Sequence, residues 1–254
     1  MVLNFSQGKA NWPTFSSVGL RNELRPSLTL ASTLQPYTWS TWKQYMTAAA
    51  SAVYAANPDV LIFFSGLDSD FNIEPAVGGS TLLDPGFSFS VADYEWAGKF
   101  VFEMHEYDEG ISSSCTIYEA ILDSFGADAT TKSGAGANRA PLVISEWGHD
   151  ETDASGAYNS AYSTCLTQFM VDRQFGWMLW VLAGSYYIRS GVQDSDESYG
   201  AYFDVVIFFK IFSIGRYAYL IIGILTHDWS PYRGTASIAA IKQLIENTYS
   251  AYGQ

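Results

Sequence analysis

Short apolar runs alternate along the chain with longer stretches in which apolar residues recur every three or four positions, the pattern of strands followed by helices. Val18-Gly-Leu20 reads as a brief strand. Tyr37 to Trp42 opens an Ala-rich helix that runs to Ala56 and stops at Asn57-Pro58, because proline removes a backbone donor and restricts the residue before it. Val60–Phe64 follows as a buried strand, then a strand over Lys99–Met104 and a helix from about Thr116 to Phe125. Pro141–Ser145 is the next strand, a helix over Ala157–Arg173 comes after it, and Gly176–Val181 is the fifth strand. Ile238, Ile241, Leu244 and Ile245 have helical spacing and predict a last helix. Strands that alternate with helices predict a parallel α/β architecture. Neither a long repeat nor a low-complexity linker divides the 254 residues, so one domain over 1–254 is expected.

The residues that follow the strands separate two parallel architectures. An open nucleotide-binding sheet carries a glycine-rich turn after a strand, whereas a barrel gathers its chemistry at the carboxyl ends of all strands. Here the strand ends give Asn22 and Glu23, then Ser65, then His105 and Tyr107, then Glu146, then Trp180, and no G-x-G-x-x-G or P-loop pattern follows any of them. A barrel is therefore expected.

Charge narrows the partners. Thirteen Lys and Arg against twenty-six Asp and Glu leave a net charge of −13, which repels phosphate backbones and anionic lipid surfaces, so no nucleic-acid partner is expected. Aromatic residues make up 16% of the chain and charged residues only 15%, a balance suited to an uncharged, ring-shaped ligand such as a sugar, although aromatic rings also fill cores. Cys115 and Cys165 are too few for a disulfide scaffold and have no zinc-ligand spacing; one bridge or two buried thiols both fit. The three histidines form no metal cluster by spacing, and neither metal nor cofactor is expected. No charged start and apolar run mark a signal peptide near Met1. Val205–Leu225 is long enough to cross a bilayer, but Lys210 and Arg216 lie inside it at about 2.5–3.5 kcal/mol each on insertion scales, which argues against a span.

Glu23 and Glu146 each end a predicted strand, in Leu20-Arg-Asn-Glu-Leu-Arg25 and Val143-Ile-Ser-Glu-Trp-Gly148. Two carboxylates raised on one barrel face suit glycoside hydrolysis, in which one protonates the leaving oxygen and the other attacks the anomeric carbon or activates water.

These motifs resemble glycoside hydrolase family 5. Leu20-Arg-Asn-Glu looks like the family's fourth-strand acid/base motif, with Leu24 where proline is more usual. Ile144-Ser-Glu-Trp-Gly148 is similar to its seventh-strand nucleophile motif, Met104-His-Glu-Tyr107 to its sixth-strand His-x-Tyr, and Trp180 to its eighth-strand platform. Gly184–Arg189 and Thr226-His-Asp-Trp-Ser230 resemble fungal, secreted, cellulase-like members. The resemblance implies a (β/α)8 TIM-barrel fold with only about strands four to eight present, and a retaining glycoside hydrolase acting on a β-linked polysaccharide, foremost as an endo-β-1,4-glucanase. It implies Glu23 as acid/base, Glu146 as nucleophile, Asn22 on the sugar 2-hydroxyl, Tyr107 holding Glu146, His105 in the cleft and Trp180 beneath a sugar. It further implies an extracellular monomer whose partner is a polysaccharide or oligosaccharide, with Cys115 and Cys165 on consecutive helices available for bridging.

Two departures accompany the resemblance. The family's first three strands have no counterpart, as expected of a truncated gene model, and an apolar insert at about 201–223 separates Asp196-Glu-Ser-Tyr-Gly200 from Leu225-Thr-His-Asp-Trp229, as expected of a retained intron. A carbohydrate-binding remnant without activity is the alternative function, and a membrane-tethered fragment a third.

Overall fold

The computed structural model describes residues 15–26, 36–107, 114–181, 198–200, 219–221 and 233–252. Five strands run in chain order in one sheet: β1 (Ser17–Gly19), β2 (Leu61–Phe64), β3 (Phe100–Glu106), β4 (Leu142–Trp147) and β5 (Gly176–Leu179). Helices α1 (Trp39–Ala56), α2 (Glu74–Gly78), α3 (Cys115–Ser124), α4 (Ala161–Asp172) and α5 (Thr235–Tyr252) complete the described regular structure, with several 3-10 turns and a small antiparallel pair, β6 (Ser198–Gly200) and β7 (Tyr219–Ile221). The five strands are parallel and adjacent in chain order, the winding of a partial (β/α)8 barrel.

Two compact units are distinguishable. The first lies within Met1–Glu106, Thr116–Glu146 and Phe175–Met178 and contains the sheet. Its register is set by Val18 opposite Ile62 and by Phe63 opposite Val101. Strand β2 and the start of β3 read as continuous apolar runs because both faces are covered: Ile62 and Phe63, on opposite faces, are buried, as are Val101 and Phe102. Helix α1 begins where the Thr38 hydroxyl accepts from the Thr41 amide (3.2 Å) and ends at Asn57, ahead of Pro58. It buries Trp39, Trp42, Met46, Ala50 and Val53, a stripe spaced by three and four. Phe64 lies with its ring centroid 4.6 Å from Phe100, 5.0 Å from Trp96 and 6.0 Å from Trp42. Much of the aromatic content is therefore core: Trp39, Trp42, Trp96 and Trp147 are all buried.

The second unit lies within Tyr107–Cys115, Trp147–Gln174 and Leu179–Gln254. Cys115 and Cys165 form a disulfide across 50 residues of sequence, which settles the choice that composition left open in favour of the bridge. Helices α4 and α5 pack together, with the Tyr252 hydroxyl donating to the Met170 carbonyl (3.3 Å) and the Gln174 amide to that of Ala251 (3.0 Å). Asp153 caps α5, its carboxylate accepting from the backbone of Thr235 (3.0 Å) and Ala236 (2.8 Å).

Several boundaries differ from the pattern reading. The helix expected over 157–173 is a 3-10 turn at Ala157–Asn159 followed by α4, because the Ser160 hydroxyl caps Ser163 and starts a new helix. Strands β3 and β4 extend two residues past their expected ends, so His105 and Glu146 lie within strands rather than after them. Of the apolar insert, Tyr219–Ile221 forms β7, while residues 201–218, 222 and 223 lie outside the described residues, as do Gly184–Arg189 and Thr226–Ser230. No helix among the described residues is long and apolar enough to cross a membrane.

Candidate active site

The carboxyl ends of β1 to β4 bring the chemistry together inside the first unit. After β1 the chain turns through Leu20–Asn22, held by the Leu20 amide on the Phe63 carbonyl (3.2 Å) and by the Ser65 hydroxyl donating to the Arg21 carbonyl (2.6 Å). Glu23 follows with φ of 45°, a left-handed conformation that a non-glycine residue adopts only when its surroundings hold it there. Its side chain points to His105 of β3, with Glu23 Oε1 3.2 Å from His105 Nδ1, and Glu146 Oε2 of β4 lies 3.5 Å from the same nitrogen. One ligand-type atom from each of Glu23, His105 and Glu146 falls within 4.8 Å of the other two, so an oxygen of Glu23 and one of Glu146 are no farther apart than that.

His105 is only 4% exposed. Burial pulls its pKa down, but the Glu23 hydrogen bond and the charges of Glu146, Asp70 and Glu103 outweigh burial and hold it above the ordinary histidine value. When protonated, the ring donates from both nitrogens. The same three atoms are close enough to share a cation, a grouping that spacing along the chain hid because each comes from a different strand or strand end.

Two further carboxylates stand behind the pair. Asp70, with no exposed surface, accepts the Glu23 backbone N–H at 2.6 Å and lies 3.8 Å from His105 Nε2. Burial pushes its pKa up to about 7, against the opposing pull of the Glu23 hydrogen bond and His105. Glu103 lies against Gly19, where a Cβ would stand 3.3 Å from its carboxylate, and burial raises its pKa too. Arg25 pairs with Glu23 Oε2 from the solvent side.

The structure thus brings Glu23, His105 and Glu146 to one point. Asn22 is exposed beside Glu23. Tyr107, buried, and Trp180, half-buried, belong to the second unit, where the Trp180 amide donates to the Trp147 carbonyl (2.9 Å). Sequence reasoning missed Asp70, Glu103 and Arg25. Arg25 stood inside the quoted Leu20–Arg25 motif, whereas Asp70 sits five residues beyond Ser65 in a loop, where no periodicity marks it. It also found no partner for His149, which in the second unit lies 3.5 Å from the buried Glu151.

Residues 17–185 match the model of the cellulase family, glycosyl hydrolase family 5. The chain belongs to that family. A glycosyl hydrolase 5 family protein from Chamaecyparis obtusa is 28% identical over 256 residues, covering 96% of this chain and 38% of its own length. The family 5 chain therefore spans well under half of that relative. Among solved structures, the catalytic domain of the major endoglucanase of Xanthomonas campestris pv. campestris has a TM-score of 0.55 at 14% identity, with 100% of this chain and 61% of that one covered. An endocellulase from Pyrococcus horikoshii in complex with cellotetraose has a TM-score of 0.55 at 15% identity, with coverage of 96% and 61%. A beta-glucanase from Saccharophagus degradans in complex with cellotetraose gives 0.51 at 14%, with coverage of 97% and 60%. At such identities the likeness to these structures is one of fold.

Proposed function

We propose that this family 5 chain is a retaining glycoside hydrolase that cleaves a β-linked polysaccharide, foremost as an endo-β-1,4-glucanase. The observation that carries the reading is the approach of Glu23 and Glu146, with one oxygen of each inside 4.8 Å. Retaining enzymes hold their two carboxyl groups about 5–5.5 Å apart, whereas inverting enzymes need about 6.5–9.5 Å to admit a water. An approach this short supports direct attack by a carboxylate on the sugar over attack by an interposed water.

In the first step a Glu146 oxygen attacks the anomeric carbon as the glycosidic C–O bond breaks, and Glu23 gives its proton to the departing oxygen. In the second, water attacks the anomeric carbon of the glycosyl ester, Glu23 takes the water's proton, and the bond to Glu146 breaks. His105, whose Nδ1 lies 3.2 Å from Glu23 Oε1 and 3.5 Å from Glu146 Oε2 on the buried side, supports the spacing of the two carboxylates. Asn22 and Trp180 are assigned to sugar contacts and Tyr107 to the nucleophile's support by their match to the family motifs.

The substrate class is drawn from the structural relatives, two of which are cellotetraose complexes, and from the few charged residues in the chain. The Cys115–Cys165 disulfide supports an oxidising, extracellular setting. A second reading, sugar binding without turnover, is favoured by the five-stranded sheet among the described residues. Glu146→Ala decides between them: on a β-1,4-gluco-oligosaccharide its turnover is expected to fall about 10³-fold or more while binding persists. A rate equal to that of the unaltered chain would remove Glu146 from the mechanism. Binding without new reducing ends in the unaltered chain would select the second reading.

A further inference from the structure

Asp68, Ser69 and Asp70, in the turn after β2, all have positive φ (55°, 60° and 65°), three successive left-handed residues that are not glycine. Such backbone persists only where the surroundings over-determine it. Here the turn is pinched at its base by a pair of hydrogen bonds between Leu67 and Asn72, at 3.0 and 3.1 Å. Gly66 permits the pinch, since a Cβ there would collide with the Asn72 carbonyl.

Three polar groups of the turn meet the tripeptide Glu23–Arg25. Asp70 Oδ2 accepts the Glu23 amide at 2.6 Å, the Ser69 amide donates to the Leu24 carbonyl at 3.1 Å, and Ser69 Oγ accepts from Arg25 Nε at 2.8 Å. Arg25 Nη2 in turn pairs with Glu23 Oε2. Tyr37 closes the set: its hydroxyl donates to the Leu24 carbonyl (3.0 Å) and accepts from the Asp68 amide (2.6 Å). Glu23, itself left-handed at φ 45°, is thereby held at its backbone and at its carboxylate. Leu24 has no ring to fix φ, so nothing in its own covalent structure restricts the chain on that side of Glu23.

We propose that the Asp68–Asp70 turn is the positioning element of Glu23, with Asp70 setting its backbone and Ser69, through Arg25, setting its carboxylate. The inference rests on the reading of Glu23 as acid/base. A positioned general acid contributes about 10²–10⁴-fold, and the contribution is lost when its proton donor swings away from the leaving oxygen.

The consequence is selective. A substrate whose leaving group departs without a proton has no need of a positioned acid. Asp70→Ala is expected to lower kcat on cellotetraose by about a hundredfold at near-constant KM, yet to change the glycosylation rate on 2,4-dinitrophenyl β-cellobioside by no more than about threefold. Asp70→Asn, which retains an accepting oxygen, is expected to recover most of the loss. Arg25→Ala, an exposed change that does not threaten folding, is expected to show the same selectivity at about tenfold. Equal losses on both substrates would mark Asp70 as merely structural and overturn the inference. If Glu23→Gln left cellotetraose turnover intact, the acid/base reading itself would fall.

A second readout needs no turnover. By amide exchange in NMR, the Glu23 N–H of the unaltered chain is expected to be protected, and that protection is expected to be lost in Asp70→Ala and kept in Asp70→Asn. A Glu23 amide that exchanges freely in the unaltered chain contradicts the clamp whatever the activity.

Discussion

At the scale of single residues, the described molecule is marked by carboxylates kept away from water. Asp70 and Glu151 are buried, and burial pushes each pKa up to about 7. Glu151 accepts from the Ser237 hydroxyl and faces His149, whose own pKa burial lowers. The linkage has a definite sign. An unfolded carboxyl ionises near pH 4, so between about pH 4 and 7 the native state binds protons that the unfolded chain has released, and stability falls as pH rises through that window. His105, raised, extends the fall above its ordinary value; His149, lowered, opposes it below 6.5. Denaturant unfolding is therefore expected to show lower stability at pH 8 than at pH 5, and Glu151→Gln is expected to flatten that slope. A slope unchanged by the substitution would mean that Glu151 is not buried as the structure has it. None of this was legible in the sequence: Glu23, His105 and Glu146 announced themselves by their places at strand ends, but the burial of Asp70 depends on how a loop folds back.

At the scale of elements, the apolar runs located all five strands to within one or two residues, and β2 and the start of β3 are apolar because both their faces are covered. What the pattern misjudged were ends and interruptions. These are decided by single hydrogen bonds, such as the Ser160 cap that separates α4 from the 3-10 turn before it. The bridge between α3 and α4 has the largest consequence for stability. Closing a loop of 50 residues removes chain entropy from the unfolded state worth about 4 kcal/mol in the loop-entropy model, and measured values for such bridges are about 2–4 kcal/mol. Reduction, or a Cys115→Ala/Cys165→Ala double substitution, is expected to lower unfolding free energy by that amount. A melting temperature indifferent to reductant would count against the pairing.

At the scale of the whole molecule, the parallel order of five strands and the match over residues 17–185 agree with the motifs that pointed to the family. The aromatic content proved less informative than it looked. Trp42, Trp96, Phe64 and Phe100 pack on one another in the core, whereas Trp180 is half-buried. The catalytic proposal therefore rests on carboxylate geometry rather than on composition. Its most direct test is the anomeric configuration of the first product, followed by proton NMR during hydrolysis of a β-1,4-gluco-oligosaccharide by the unaltered chain. The account expects the β-anomer to accumulate first and then mutarotate, because attack by Glu146 and then by water inverts the carbon twice. Initial release of the α-anomer would mean a single displacement by water and would contradict it.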